Sequence, residues 1–246
     1  MKRIFDPEEP ELMDRPQALG LVLAKDLANL RSLNRYFGSH ALVRWFLEPR
    51  MRALAAAAGA GPIKILDLAT GSGDIPRLLV DLGRRIGCEV AVDAIDFHPS
   101  TLEIARSLSQ EYPEITWHQR DLRSPHWPEG VPRADFVMCS LALHHFEASD
   151  AVQILRSAAQ LANRAVFVAD LIRSPMTWLG VRLLTDLIYR DPMTVTDARM
   201  SVRAAFSRAE FRQMAKEAGW GNEGRFRYRS WIHYGRQVIW KEEANE

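Results

Sequence analysis

A buried strand that runs straight into a glycine turn and then a helix constrains this chain more than any other feature: Ile63-Lys-Ile-Leu-Asp67-Leu-Ala69-Thr70-Gly71-Ser-Gly73-Asp74. Glycines at 71 and 73 leave bare backbone that a ligand can approach. Pro76 follows in the first helical turn, where a missing amide proton is tolerated. The unit belongs to a parallel sheet flanked by helices, and the sequence after it keeps that rhythm. Strands are expected at Lys64–Leu68, Glu89–Ile95, Ile115–Gln119, Asp135–Ser140 and Ala165–Ala169, with helices near Ile75–Arg85, Pro99–Glu111 and Ser149–Leu161.

Both flanks read differently. The first residues carry several prolines and acids and suggest an extended arm. From Leu19 to Leu54 apolar residues recur at helical spacing through Leu23, Leu27, Leu30, Leu33, Phe37, Leu42, Trp45 and Phe46, which predicts a helical cap. The arm and cap are taken as residues 1–58 and the main domain as 59–246, with a helical insertion at 172–205. Ser207-Arg-Ala-Glu210 is a capping box that should open a helix ending before Gly219. Alternation at Arg225–Arg229 and from Trp231 to Trp240 predicts a closing hairpin.

Lys plus Arg (32) balance Asp plus Glu (31), so no whole-molecule field favours nucleic acid or an anionic membrane. Cys88 and Cys139 lie in separate apolar runs, without the spacing of a zinc site or a disulfide framework. No metal is expected. No apolar run reaches the length of a membrane span and the start lacks a signal-peptide core, so the reading is cytoplasmic.

The turn resembles a dinucleotide fingerprint, but Pro76 stands where that motif has a third small residue, and no Gly-Lys-Ser/Thr sequence marks a P-loop. The second strand ends in Asp96-Phe97, placed so that an acid meets ribose hydroxyls and a ring meets adenine; the third ends near Asp121-Leu122, another acid at a carboxyl edge. With these residues the chain resembles the class I S-adenosylmethionine-dependent methyltransferases, and Leu66–Asp74 looks like their ubiquinone and menaquinone C-methyltransferase branch. The resemblance implies a doubly wound, Rossmann-like α/β fold with a seven-stranded, mostly parallel sheet. It also implies that Asp67, Ala69, Thr70, Gly71 and Gly73 surround the methionine and ribose of S-adenosylmethionine. Asp96 would take the ribose diol, Phe97, Asp121 and Leu122 the adenine, and Ser140 the methionine side; S-adenosylhomocysteine is the expected product. Ala69 departs from the commonest family turn, which has glycine there.

Methyl transfer to oxygen or carbon of a ring often needs a proton removed, and His144 and His145, just after the fourth strand, are the candidate bases. Packing within the loop is the competing reading for either. Tyr36, His40, Trp178 and Tyr189 are candidate contacts for a small, aromatic methyl acceptor of phenolic, quinol or polyketide type. Leu179, Leu183, Leu184 and Leu187 read equally well as plain core, while Arg35, Arg173 and Arg190 are candidate partners for an acceptor carboxylate or phenolate. The Arg225–Arg229 alternation reads as a surface strand rather than a nucleic-acid platform, and a homodimer is left open. The alternatives are a nicotinamide-dependent oxidoreductase and a non-catalytic protein that keeps the cofactor fold.

Overall fold

The computed structural model describes residues 1–15, 20–57, 61–220, 226–231 and 235–242. Seven strands form one sheet: β1 (Ile63–Leu68), β2 (Val90–Asp96), β3 (Ile115–Gln119), β4 (Ala134–Ser140), β5 (Ala162–Leu171), β6 (Phe226–Trp231) and β7 (Arg236–Glu242). Their order is β3-β2-β1-β4-β5-β7-β6. The first five pair in parallel; β7 runs antiparallel to β5, and β6 antiparallel to β7. This is the expected doubly wound α/β sheet, and the order reverses between β1 and β4, which opens a crevice at their carboxyl ends.

Strand alternation divides the core. Leu66, Leu68, Val137, Cys139, Val166 and Val168 face one side with helices α5 (Ala148–Leu161) and α8 (Arg208–Glu217). Ile63, Ile65, Phe136, Met138, Ala165 and Phe167 face the other with α2 (Ser39–Ala55) and α3 (Asp74–Ile86). A fifth sheet-flanking helix, α4 (Pro99–Ser107), stops short of the expected Glu111, because the chain turns through Ser109 and Tyr112 before Pro113, which disfavours helix in the residue ahead of it. The capping box forms as expected at the start of α8, with both reciprocal hydrogen bonds present.

The N-terminal helices have separate duties. In α2, Leu42, Val43, Phe46, Leu47 and Met51 are buried against the sheet, and the Phe46 ring stacks on Phe167 at 4.6 Å. It is therefore a core layer rather than a cap. Only α1 (Leu21–Tyr36) joins α6 (Pro175–Leu187) and α7 (Pro192–Ala204) above the carboxyl edge. The arm is not free: Ile4 N–H donates to Arg203 O, the Arg3 guanidinium to Ala204 O and Phe146 O, and Leu12 and Met13 N–H to the Asp197 carboxylate. Asp197, buried beside Glu11 and Asp26, is pushed up to about 7 by that burial, against the two amides. The predicted boundary at residue 58, Arg225 and positions 232–234 lie outside the described residues. Among the described residues no helix is long and apolar enough to cross a membrane.

Candidate active site

A cavity of about 1230 Å³ opens over the carboxyl ends of β1 to β5, between the sheet, the arm and helices α1, α6 and α7. Asp67, Ala69, Thr70, Gly71, Asp96, Phe97, Asp121, Leu122 and Ser140 all line it. The turn after β1 is held in shape by its neighbours: Thr70 Oγ1 donates to Asp67 Oδ2 at 2.6 Å, and Thr70 N–H to Ile95 O at 2.8 Å. Ala69 adopts φ +52°, a left-handed conformation costly for a side-chain-bearing residue. Gly71 also lies there, and a Cβ on it would meet nothing within 4 Å. Gly73 serves a different purpose from the one expected: it does not line the cavity, and a Cβ on it would come within 2.4 Å of Trp117 Cη2, so its bareness makes room for that indole.

Asp96 is buried at the end of β2 with one oxygen accepting from Gly71 N–H (2.8 Å) and the other from His98 N–H (3.0 Å). Each oxygen keeps lone pairs for a pair of neighbouring hydroxyls. Burial raises its carboxyl above the usual range despite the two amides. Burial likewise pushes Asp67 up to about 7, partly offset by the Thr70 hydrogen bond. Asp121 is held low, its desolvation outweighed by a two-pronged pairing with Arg123, whose guanidinium also lies over the Phe97 ring at 5.3 Å. The open backbone at Gly71 and the doubly braced Asp96 suit a nucleoside with a free diol.

The second wall follows β4. Leu141, at φ +58°, turns the chain into a short 3-10 segment, Leu143–His145. His144 is buried; its Nδ1 lies 2.6 Å from Asp170 Oδ1, its backbone N–H donates to Asp170 Oδ2 at 3.0 Å, and its Nε2 faces Glu11 Oε1 at 3.9 Å. His145 Nδ1 lies 2.5 Å from Asp14 Oδ2. Burial works against charge on His145, but Glu11, Asp14 and Asp170 outweigh it and push the imidazole up to about 10. The neighbouring carboxylates thus favour the charged form of His145, which weighs against the expected base role. Asp14, which also approaches His98, is held well below the carboxylate range, its burial outweighed by the two imidazoles. Glu11, His144 and His145 place their ligand atoms within 4.8 Å of one another, close enough to be drawn onto one ion, a grouping that 133 residues of chain separation conceal.

None of the four expected acceptor contacts lines the cavity. Tyr36 is 68% exposed at the end of α1; His40 is engaged by Asp74 at 2.8 Å; Trp178 packs beside Leu171, Val202 and Ala205; Tyr189 is buried with its hydroxyl 2.7 Å from Ser32 Oγ. Arg173 is a structural clasp, donating to Met1 O, Ala205 O and both oxygens of Glu210. Leu183 and Leu187 are neither core nor deep pocket: they are more than half exposed at the cavity rim. The wall residues that sequence reasoning missed include Phe5, Glu11, Met13 and Asp14 of the arm, together with Arg236. Asp170, the clamp on His144, was missed as well; it ends β5 as Asp67 and Asp96 end their strands, a sign readable beforehand.

A reversed strand order with acids at successive carboxyl ends and a glycine turn after β1 defines the class I, S-adenosylmethionine-dependent methyltransferase fold. Residues 65–164 match the family model described as a methyltransferase domain. Demethylmenaquinone methyltransferase of Thermus thermophilus is 36% identical over 100 residues, 40% of this chain and 42% of that protein. 2-Phytyl-1,4-naphtoquinone methyltransferase of Thermosynechococcus vestitus is 46% identical over 56 residues, 23% of this chain and 24% of that protein. The matches thus span less than half the length of these curated relatives. Among solved structures, a plantazolicin methyltransferase in complex with a pentazolic analogue and S-adenosylhomocysteine shares the fold at a TM-score of 0.64, with 13% identity over 91% of each chain. Magnesium protoporphyrin IX methyltransferase from Synechocystis PCC 6803 with bound S-adenosylhomocysteine does so at 0.53, with 18% identity over 94% of this chain and 91% of that one.

Proposed function

We propose that this chain transfers the methyl group of S-adenosylmethionine to oxygen or carbon of a small aromatic acceptor held in the same cavity. The observation that carries the reading is Asp96, whose two oxygens are braced by Gly71 and His98 beside open backbone. The cavity exceeds the roughly 300–1000 Å³ of a pocket for one small ligand, which leaves space for an acceptor beside the nucleoside. The quinone substrates named for the curated relatives agree with the leucines and Phe5 of its outer wall.

The cofactor supplies an electrophilic methyl on a sulfonium; the chain's own residues orient, exclude water and move a proton. Asp67 places a carboxyl at the end of β1, suited to accept from the amino group of a methionine moiety. Arm, α1 and α6 close the roof and keep the reacting atoms from bulk water. His144 is the candidate base that remains: its Nδ1 is engaged by Asp170, which leaves Nε2 as the atom to take a proton, and burial of the ring fixes its direction.

Calorimetric titration with S-adenosylhomocysteine tests the cofactor without knowledge of the acceptor. One site per chain, lost in Asp96→Ala while the fold persists, is the expected result. Stabilisation by NADH instead would establish the oxidoreductase, and binding without turnover on any phenol or quinol would favour the non-catalytic alternative.

A further inference from the structure

The acids at the sheet edge all have hydrogen-bond partners, whereas among the described residues one buried cation beside them has no hydrogen bond or ion pair. Arg236 opens β7 opposite Leu171 of β5, lines the cavity and is 7% exposed. Its position is fixed from both sides. Gly235 before it sits at φ +62°, where a Cβ would approach Thr177 Cγ2 to 2.6 Å, and Gln237 after it donates to Leu171 O and Phe206 O. Yet among the described residues its guanidinium makes no ion pair and no hydrogen bond, and Nε is fully buried without an acceptor. Arg173 and Arg3, its neighbours in the same region, satisfy their donors on carbonyls and Glu210. Burial lowers the Arg236 guanidinium to about 10 against the attraction of Asp170, which leaves it charged at neutral pH.

A buried charge with empty donors is destabilising and persists only where something outweighs the cost. A guanidinium presents a planar fork of donors that fits a planar oxyanion. We propose that Arg236 is the anion-recognising group of the acceptor pocket, and that the acceptor is bound as an aromatic oxyanion, a carboxylate or a phenolate. This inference rests on the methyltransferase reading for the word acceptor and names its chemical class. It also explains the arrangement at the end of β5: Asp170 is the anion that Arg236 senses and the one that clamps His144, so an oxyanion on Arg236 is held on the same side as the base.

The test is calorimetry on the whole chain, with and without saturating S-adenosylhomocysteine, using 4-hydroxybenzoate against 4-hydroxybenzamide and 4-nitrophenolate against nitrobenzene. At least one anion is expected to bind tenfold or more tightly than its neutral counterpart, and the pair that discriminates says which oxyanion is read. Arg236→Gln should level the two affinities and leave S-adenosylhomocysteine binding within twofold. Arg236→Met should raise the Tm of the ligand-free protein, an outcome opposite to that of a structural arginine. Equal binding of anions and neutrals in the wild type, a preference that survives Arg236→Gln, or a lower Tm in Arg236→Met would overturn the proposal. Failure of S-adenosylhomocysteine to bind counts against the cofactor alone, because the oxyanion preference is read without it.

Discussion

Asp67→Asn separates what the site needs from what the fold prefers. The carboxyl is 2% exposed and is pushed by burial from an ordinary 3.8 to about 7, against a hydrogen bond from Thr70. Its folded-state value lies above its unfolded one, so at pH below about 4 both states carry the proton and the group contributes nothing. As pH rises from about 4 to 7 the unfolded chain ionises first and stability is lost; above about 7 the penalty is constant. Three units correspond to about 4 kcal/mol, and relaxation of the site reduces the effect to roughly 2–4 kcal/mol. Asparagine keeps an oxygen for Thr70 Oγ1 and has nothing to ionise. At pH 8 the variant should therefore melt about 5–10 °C above the wild type, given roughly 2–4 °C per kcal/mol for a chain of this size. At pH 4.5 the difference should fall to about a quarter of that, and calorimetry should show S-adenosylhomocysteine binding weakened at least tenfold. The measurement is Tm by differential scanning calorimetry across this range. An equal gain at pH 4.5 and 8, or no gain at pH 8, would refute the assignment of burial as the cause.

Other perturbations test the turn and the clasp. Gly73→Ala combines a left-handed backbone with a Cβ 2.4 Å from Trp117, and should cost about 2–4 kcal/mol in urea denaturation; a loss under about 0.5 kcal/mol would mean the indole moves freely. Ala69→Gly relieves the φ +52° conformation and should gain about 0.5–1 kcal/mol in the same assay, with S-adenosylhomocysteine affinity retained; a net loss would show that the methyl packs usefully. Arg173→Met leaves the carbonyls of Met1 and Ala205 without this donor and Glu210 with Ser207 N–H but no guanidinium, and should cost about 2 kcal/mol while making the arm the first point of proteolysis. Unchanged cleavage at the arm would remove Arg173 from its anchoring.

Legibility followed periodicity. The parallel strands, the capping box of α8 and the closing hairpin could be read because local alternation and turn chemistry carry them. So could the strand-end acids, since a carboxyl-edge position is defined along the chain. The role of α2 could not, because apolar spacing gives a buried face without saying what covers it; Leu42, Phe46 and Met51 would look the same in a cap. Tyr36 and Tyr189 belong to segments that read as walls of the pocket, but where a ring points is set by tertiary packing: Tyr36 ends α1 facing solvent and Tyr189, between α6 and α7, turns to Ser32. The docking of the extended arm was not legible for a related reason: prolines and acids say nothing of what an arm packs on, and Asp197 and Arg203, the groups that hold it, stand some 190 residues away. The charge of His145 was hidden too, since it arises from Glu11 and Asp14 on that arm.

The antiparallel insertion of β7 has a consequence in time. β5, from Ala162 to Leu171, has β4 on one side as soon as it is made, but its other edge pairs with Arg236–Glu242, about 65 residues later. At roughly 5–20 residues per second of synthesis that edge stays open for about 3–13 s. The run Ala165 to Leu171 is buried throughout in the finished sheet and contains a single charge, so the waiting strand is an apolar template for other chains. Chains stopped after Trp220 should accordingly collect in the insoluble fraction; a soluble, monomeric fragment of that length would show that the arm or α8 shields the edge until β7 arrives.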